Sequence, residues 1–296
     1  MPSSGRRLTE GNAASESERF LEHMEAAPAC EGKGIVICAG GHYFTSAWIS
    51  IRLLRELGCR LPIEMWHLGR KEFNPTMEAL VRPLGVECVD ASRVRRQHPI
   101  RYLDGWELKS YAIVHSRFRE VMLLDADNVA TRNPEFLFEE PEYRRTGAVF
   151  WPDLDPLGSH QLIWVICGVR GRDEPAFESG QIVVDKLRCW RPLRLALWYN
   201  AHSSFFYYYI HGDKDTFHLA FRKLDVEYAM PPLLPVYDPP ILYQHDFQGA
   251  RLFQHQKKWA LKGRNRKHRD FQHQDACFKF LRELRRQWDG RCGRTQ

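Results

Sequence analysis

The sequence predicts an α/β fold: a single domain with a mostly parallel sheet flanked by helices, followed by a smaller mixed portion. Three observations lead there. Short apolar runs alternate with stretches of helical periodicity through the first half of the chain, the pattern of strand-helix-strand units with right-handed crossovers. One run, Val121-Met122-Leu123-Leu124, passes straight into Asp125-Ala126-Asp127-Asn128, which reads as a buried strand with an acidic tip. After Asp127 the alternation loosens into short strands and loops.

Taken in order, residues 1–30 are rich in Ser, Gly, Glu and Ala and read as a flexible lead-in with a short helix near 20–24. The main domain, 31–260, opens on the apolar run 34–39, closed by Gly40-Gly41, and Phe44, Trp48, Ile51 and Leu54 then recur at helical spacing. Such a glycine turn lets a ligand approach the backbone closely, but the third glycine of a dinucleotide fingerprint is missing. A strand at 63–68, a helix at 75–81 with Pro75 in its first turn and a strand at 86–89 follow. The arginine-rich link 92–101 leads to a helix presenting Leu108, Tyr111, Val114 and Phe118 on one face, and then to the strand that carries Asp125 and Asp127.

In the second half, 147–151 reads as a strand, 152–159 as a Pro- and Asp-rich loop and 162–167 as another strand. Residues 178–180 read as a turn feeding a buried strand at 181–185, and 187–202 as a helix. The aromatic run Phe205 to Tyr209 is expected in the core. Asp213 is placed as the N-cap of a further helix, with Asp215 complementing its positive end. Beyond the Pro-rich turn 231–240, strands at 241–245 and 251–255 each end in Gln-His. The tail, 261–296, continues a basic stretch that begins with Lys257 and Lys258 and holds an amphipathic helix with Phe278, Leu281, Leu284 and Trp288 on one stripe. That helix is expected to pack on the domain with its basic face solvated, with peripheral membrane contact as the second reading.

Composition bounds the function. With 44% hydrophobic and 27% charged residues, the 296-residue chain reads as an ordinary globular protein able to bury a large core. A net charge of +6 is too mild for a dedicated nucleic-acid binder; it suits anionic ligands, though on charge alone a generally basic surface is the better account. None of the eight cysteines forms a C-x-x-C pair, so neither a zinc ribbon nor a disulfide framework is indicated and a cytoplasmic location is expected. No apolar run approaches the roughly 20 residues that span a bilayer.

In open α/β sheets ligands sit beyond the carboxyl ends of the strands. Two carboxylates spaced i and i+2 at such an end suit a hard divalent cation with positions left for phosphate oxygens. A turn-capping Asp beside a solvated one fits the same string. Asp125-Ala126-Asp127-Asn128-Val129 also matches the first-strand motif of dehalogenase-type phosphatases, in which the first Asp is a phosphoryl nucleophile. Here, however, several strand-helix units precede it.

Read together, Gly40-Gly41 with its aromatic helix, Trp106-Glu107-Leu108-Lys109-Ser110, Leu124 to Asn128, Glu178-Ser179-Gly180-Gln181 and Gly212-Asp213-Lys214-Asp215-Thr216-Phe217 resemble the fungal mannan-type α-mannosyltransferases and their bacterial relatives. Phe253-Gln254-His255 before Lys258-Trp259 resembles the late metal-binding His of glycogenin-like enzymes. The resemblance implies a GT-A type, Rossmann-like domain and a metal-dependent, retaining transfer of a hexose, mannose favoured, from a nucleotide diphosphate to a hydroxyl. It assigns Asp125, Asp127 and His255 to Mn²⁺ or Mg²⁺ and places Lys109 near the donor phosphates. Gly40 and Gly41 would lie against the nucleotide. Asp215, then Glu178 and Asp213, are the carboxylates expected at the sugar carbon, with Gln181, Lys214, His245 and Asp246 lining donor or acceptor. GDP-mannose is the favoured donor, with a UDP-hexose second, and the acceptor is a glycan or a lipid-linked sugar. A phosphatase of the dehalogenase type and a non-catalytic nucleotide-sugar or glycan binder are the competing readings.

Overall fold

The computed structural model describes residues 7–256 and 258–292. Residues 1–6 and 293–296, assigned above to the lead-in and the tail, and Lys257 of the basic stretch lie outside the described residues. The first element is α1 (Ala13–Glu22), which begins well before the helix expected at 20–24. Ala13 and Ser17 are buried on its inner side, and Phe20 stacks on Trp198 with centroids 6.0 Å apart. The few apolar residues of this stretch find their partner surface far downstream, so local periodicity did not mark it.

The expected alternation follows as β1 (Lys33–Cys38), α2 (Phe44–Glu56), β2 (Ile63–His67), α3 (Pro75–Val81), β3 (Val86–Asp90), α4 (Ala91–Gln97), α5 (Glu107–His115) and β4 (Glu120–Asp125). Asn74 caps α3, its side chain accepting from Met77 N at 3.0 Å, and Pro75 occupies the first turn, where its missing N–H costs nothing. The second half supplies β5 (Asn128–Ala130), α6 (Pro141–Thr146), β6 (Ala148–Pro156), α7 (Leu162–Ile166), β7 (Pro175–Asp185), α8 (Trp190–Ala201), α9 (Ser203–Phe206) and α10 (Lys214–Lys223). The last elements are β8 (Val236–Asp238), β9 (Ile241–His245), β10 (Arg251–Gln256) and α11 (Gln274–Gln287).

A six-stranded sheet runs β3-β2-β1-β4-β7-β6; β1 to β4 are parallel, and β7 is antiparallel to both β4 and β6. This is the expected α/β class. Alternate strand residues serve opposite cores: Val36, Leu123 and Val184 join α5, α8 and α10 on one face, while Ile37, Met122 and Val183 join α2 and α11 on the other. Burial on both faces is why these strands read as continuous apolar runs. The smaller portion is a four-stranded antiparallel sheet, β5-β10-β9-β8.

Three local expectations are corrected. Residues 162–167 are helical rather than extended, because so short an apolar run suits either state, and Gly168 at φ +66° ends the turn in the left-handed conformation. The turn expected at 178–180 lies inside β7: Phe150 pairs with Ile182 while the next residue, Trp151, pairs with Glu178, so 179–181 bulge away from β6. The aromatic run is core only in part, with Phe206 fully buried and Tyr208 85% exposed. The stripe of α11 packs on α2, where Arg52 pairs with Glu283 at 2.6 Å and lies 4.5 Å over the Phe280 ring. No helix among the described residues is long and apolar enough to cross a membrane.

Candidate active site

β1 has β2 on one side and β4 on the other, so the strand order reverses between β1 and β4. At such a switch point the diverging loops leave a crevice beyond the strand ends. Cys38 and Asp125, the last residues of β1 and β4, are register partners there. A cleft of about 1090 Å³ opens above them, lined among others by Gly40, Gly41, Lys109, Asp125, Asp127 and His255.

His255 reaches the acidic tip through the second sheet. β5, immediately after the two aspartates, pairs with β10 so that Asn128 lies opposite His255. His255 Nε2 stands 3.3 Å from Asp127 Oδ1 and 3.8 Å from Asp125 Oδ2, and its Nδ1 is 3.8 Å from Glu178 Oε1. One donor atom from each of Asp125, Asp127 and His255 falls within 4.8 Å of the others. Burial works against a charged imidazole here, but the bond to Asp127 and the charges of Asp125 and Glu178 outweigh it, lifting the His255 pKa to about 9. Gly180 makes the arrangement sterically open, since a Cβ at that position would stand 2.7 Å from His255 Nδ1.

Lys109 projects from α5 into the same group. Its Nζ lies 2.9 Å from Asp125 Oδ2, 3.2 Å from Ser179 Oγ and 3.7 Å from Asp213 Oδ2. Burial disfavours its charge, yet Asp125 and Asp213 hold it protonated beyond the usual lysine range. Asp213 sits at the position preceding α10 without making the expected capping bond, and its Oδ2 has no hydrogen-bond partner among the described residues. Burial raises its pKa to about 6 against the pull of Lys109, with Asp125 and Glu178 adding to the rise. Glu178 accepts from Gly180 N at 2.8 Å, and Lys214 pairs with Asp153 on the cleft wall.

Two carboxylates and an imidazole form a mixed oxygen and nitrogen donor set of the kind that holds Mn²⁺, and the buried Asp213 oxygen nearby, ion-paired with Lys109 at 3.7 Å, accepts no hydrogen bond. Four carboxylates, Asp125, Asp127, Glu178 and Asp213, here face two cationic side chains, Lys109 and His255. The residues therefore fit a divalent cation.

Other residues expected at the substrate lie elsewhere. Gln181 is fully buried, its Oε1 accepting from Asn128 Nδ2 at 2.5 Å, and it is outside the cleft lining. Asp215 is also buried and outside the lining; it accepts from His211 N at 3.1 Å, and burial raises its pKa. Asp246 closes the β9–β10 turn by accepting from Gln248 N and Ala250 N, at 2.9 and 2.8 Å, and pairs with Arg132. His245, beside it, is likewise outside the lining, and burial lowers its pKa. Three cleft residues were not singled out from the sequence. Ser179 and Trp106 stood inside the motif strings without a role of their own, and Asp153 was one of several acids in a loop.

The model of one protein family, described as "Mannosyltransferase putative", matches residues 32–163 and 170–256. Alpha-1,2-mannosyltransferase MNN24 of Candida albicans is 29% identical over 239 residues, 67% of this chain and 34% of the relative. Alpha-1,2-mannosyltransferase MNN5 of Saccharomyces cerevisiae is 26% identical over 283 residues, 75% of this chain and 48% of the relative. The chain thus spans between a third and a half of the length of these curated relatives. Among solved structures it is similar to the mannosyltransferase Ktr4p of S. cerevisiae in complex with GDP, with a TM-score of 0.48 and 12% identity over 79% of this chain and 82% of that one. It is similar also to the galactosyltransferase LgtC, with a TM-score of 0.48 and 14% identity over 68% of this chain and 73% of that one. Because the family model spans most of the chain and takes in both strand-end aspartates, Glu178, Asp213 and His255, the protein belongs to this mannosyltransferase family.

Proposed function

We propose that the protein is a metal-dependent, retaining mannosyltransferase that moves mannose from GDP-mannose to a hydroxyl of a glycan. The observation that carries the reading is the convergence of Asp125, Asp127 and His255 within 4.8 Å at the sheet's switch point. Mannose rests on the names of the relatives, and a UDP-hexose is the second donor. Asp125, Asp127 and His255 would hold Mn²⁺ or Mg²⁺. When bound, the cation neutralises the diphosphate and makes it a better leaving group.

The chain's own residues do the rest. Lys109 clamps Asp125 from behind and fixes the carboxylate's orientation. Gly40 and Gly41 offer the nucleotide a wall without side chains. Transfer breaks the bond between the anomeric carbon and the diphosphate oxygen and forms one to the acceptor oxygen, whose proton passes to the departing diphosphate. Positive charge develops on the sugar meanwhile, and Glu178 and Asp213, which line the cleft, offer carboxylates to stabilise it. The eight unpaired cysteines support a reducing, cytoplasmic setting.

The test is nucleotide release from GDP-mannose, UDP-glucose and UDP-galactose, with MnCl₂ or with EDTA. Release that needs Mn²⁺ is expected, and its absence for every donor removes the reading. Donor binding without turnover would point to a non-catalytic binder. Turnover of simple phosphomonoesters that is lost in Asp125→Asn would point to a phosphatase, although Asp125 ends the fourth strand of the chain and not the first.

A further inference from the structure

We propose that Trp106 is the stacking floor of an acceptor subsite for a pyranose ring, which makes the acceptor a carbohydrate rather than a lipid phosphate. The proposal rests on the transferase reading of the same cleft. Most large apolar side chains among the described residues are buried, yet Trp106 is 50% exposed and lines the cleft. Its ring is nonetheless held. Tyr207 and His211, also on the cleft wall, stand beside it with tilted rings and centroids at 6.2 and 6.1 Å, and Gly212, at φ +79°, is a place where a Cβ would stand 2.9 Å from Trp106 Cε3. A half-exposed indole packed against Gly212 on a cleft wall is a ready surface for the C–H face of a sugar.

Its location ties it to the segment at which the sugar would be transferred. Trp106 immediately precedes α5, and Lys109, one helical turn further on, reaches Asp125 and Asp213. Gly212 immediately precedes Asp213, so the ring contacts the segment that carries a carboxylate expected at the sugar carbon. Gly40 and Gly41 follow β1 on the same cleft, where His42 and Tyr43 form their own ring pair with centroids 4.5 Å apart. In the same cleft the Lys214–Asp153 pair supplies hydrogen-bonding groups, and Leu154 and Tyr237, 44% and 54% exposed, extend the apolar wall. A pyranose combines one apolar face with a rim of hydroxyls, so an aromatic floor with charged groups beside it matches it. A phosphate headgroup would gain nothing from the indole.

The test uses the full chain with GDP and MnCl₂ and reads saturation-transfer NMR on methyl α-D-mannopyranoside, methyl α-D-glucopyranoside and methyl α-D-galactopyranoside. The wild type is expected to transfer saturation to the ring C–H protons of at least one glycoside. Trp106→Ala should weaken that binding at least tenfold and Trp106→Tyr much less, with GDP affinity within twofold of wild type and the melting temperature unchanged. Any of three results overturns the proposal: no glycoside binds the wild type, Trp106→Ala retains binding, or Trp106→Ala loses GDP to the same extent. Metal-dependent donor hydrolysis by the wild type without acceptor is measured alongside. If it is absent the transferase reading fails; if it is present while Trp106→Ala retains glycoside binding, only the subsite fails.

Discussion

Gly180→Ala probes the metal site without replacing a ligand. A Cβ at residue 180 would stand 2.7 Å from His255 Nδ1, 3.0 Å from its Cε1 and 3.1 Å from Glu178 Oε1. Ordinary contact begins near 3.4 Å, so the imidazole must retreat by 3.4 − 2.7 = 0.7 Å. Metal-to-ligand distances tolerate only about 0.2 Å, so a shift of that size breaks the His255 bond or bends it out of line. The backbone at 180 is not in the left-handed region, so alanine adds no backbone strain, and the overpacking itself should cost about 1–3 kcal/mol. Displacing one ligand by pressure from behind should weaken Mn²⁺ by about 10- to 100-fold, the range seen when a ligand loses its orienting partner. Mn²⁺ titration followed by electron paramagnetic resonance, with thermal melting as the control, measures both quantities, and His255→Ala sets the limiting loss. Wild-type Mn²⁺ affinity in Gly180→Ala would refute the placement of His255 at the metal.

Asp127→Asn should lower metal-dependent turnover of GDP-mannose by about 100-fold or more while leaving the circular dichroism spectrum unchanged; turnover near wild type would remove Asp127 from the metal. Lys109→Met leaves the buried Asp125 and Asp213 carboxylates without their shared cation and should cost about 3–5 kcal/mol in urea unfolding without metal, a gap that saturating Mn²⁺ narrows. Glu174 gives a pH prediction away from the site. Burial raises its pKa, but the bonds to His218 and Arg222 outweigh it and hold the carboxyl at about 2, below the ordinary 4.5. A depressed carboxyl stabilises the fold fully above the unfolded value and loses that contribution as pH falls towards 2. Glu174→Gln should therefore cost about 2 kcal/mol at pH 7, with the deficit shrinking between pH 4.5 and 2.5; a deficit independent of pH would refute the assignment.

How far the sequence spoke depended on whether a residue's surroundings were local. The strands β1, β2 and β4 were legible because both faces of the sheet are covered, which forces unbroken runs such as Ile35-Val36-Ile37. The aspartate pair was legible because it continues one of those runs. Glu178 was legible as a residue, and Ser179 only as its neighbour, but neither as geometry: the bulge that turns them towards His255 and Lys109 exists only where β6 and β7 lose register. Gln181 and Asp215 are polar residues whose partners, Asn128 and the His211 amide, are set by packing, so the family resemblance that put them at the substrate could not show that they turn away from the cleft.

His255 shows why the tail matters to the site. A slip of one residue in β10 would turn its imidazole to the opposite face and present Gln254 or Gln256 instead. The pairing of Phe253 with Ala130 and the edge contact of Phe253 with Trp151, at 5.4 Å between centroids, resist that slip on one face. On the other, the Gln254 side chain is fully buried and exchanges two hydrogen bonds with the Gln272 backbone, at 2.7 and 3.2 Å. His273 lies 2.7 Å from Thr131 O, just beyond β5. The segment leading into α11 therefore clasps both strands whose pairing delivers His255, and α11 is itself locked to α2. A stretch that reads as a basic tail in the sequence thus helps to set the register on which the third metal ligand depends, and removing it should loosen Mn²⁺ binding even though none of its residues is among the ligands.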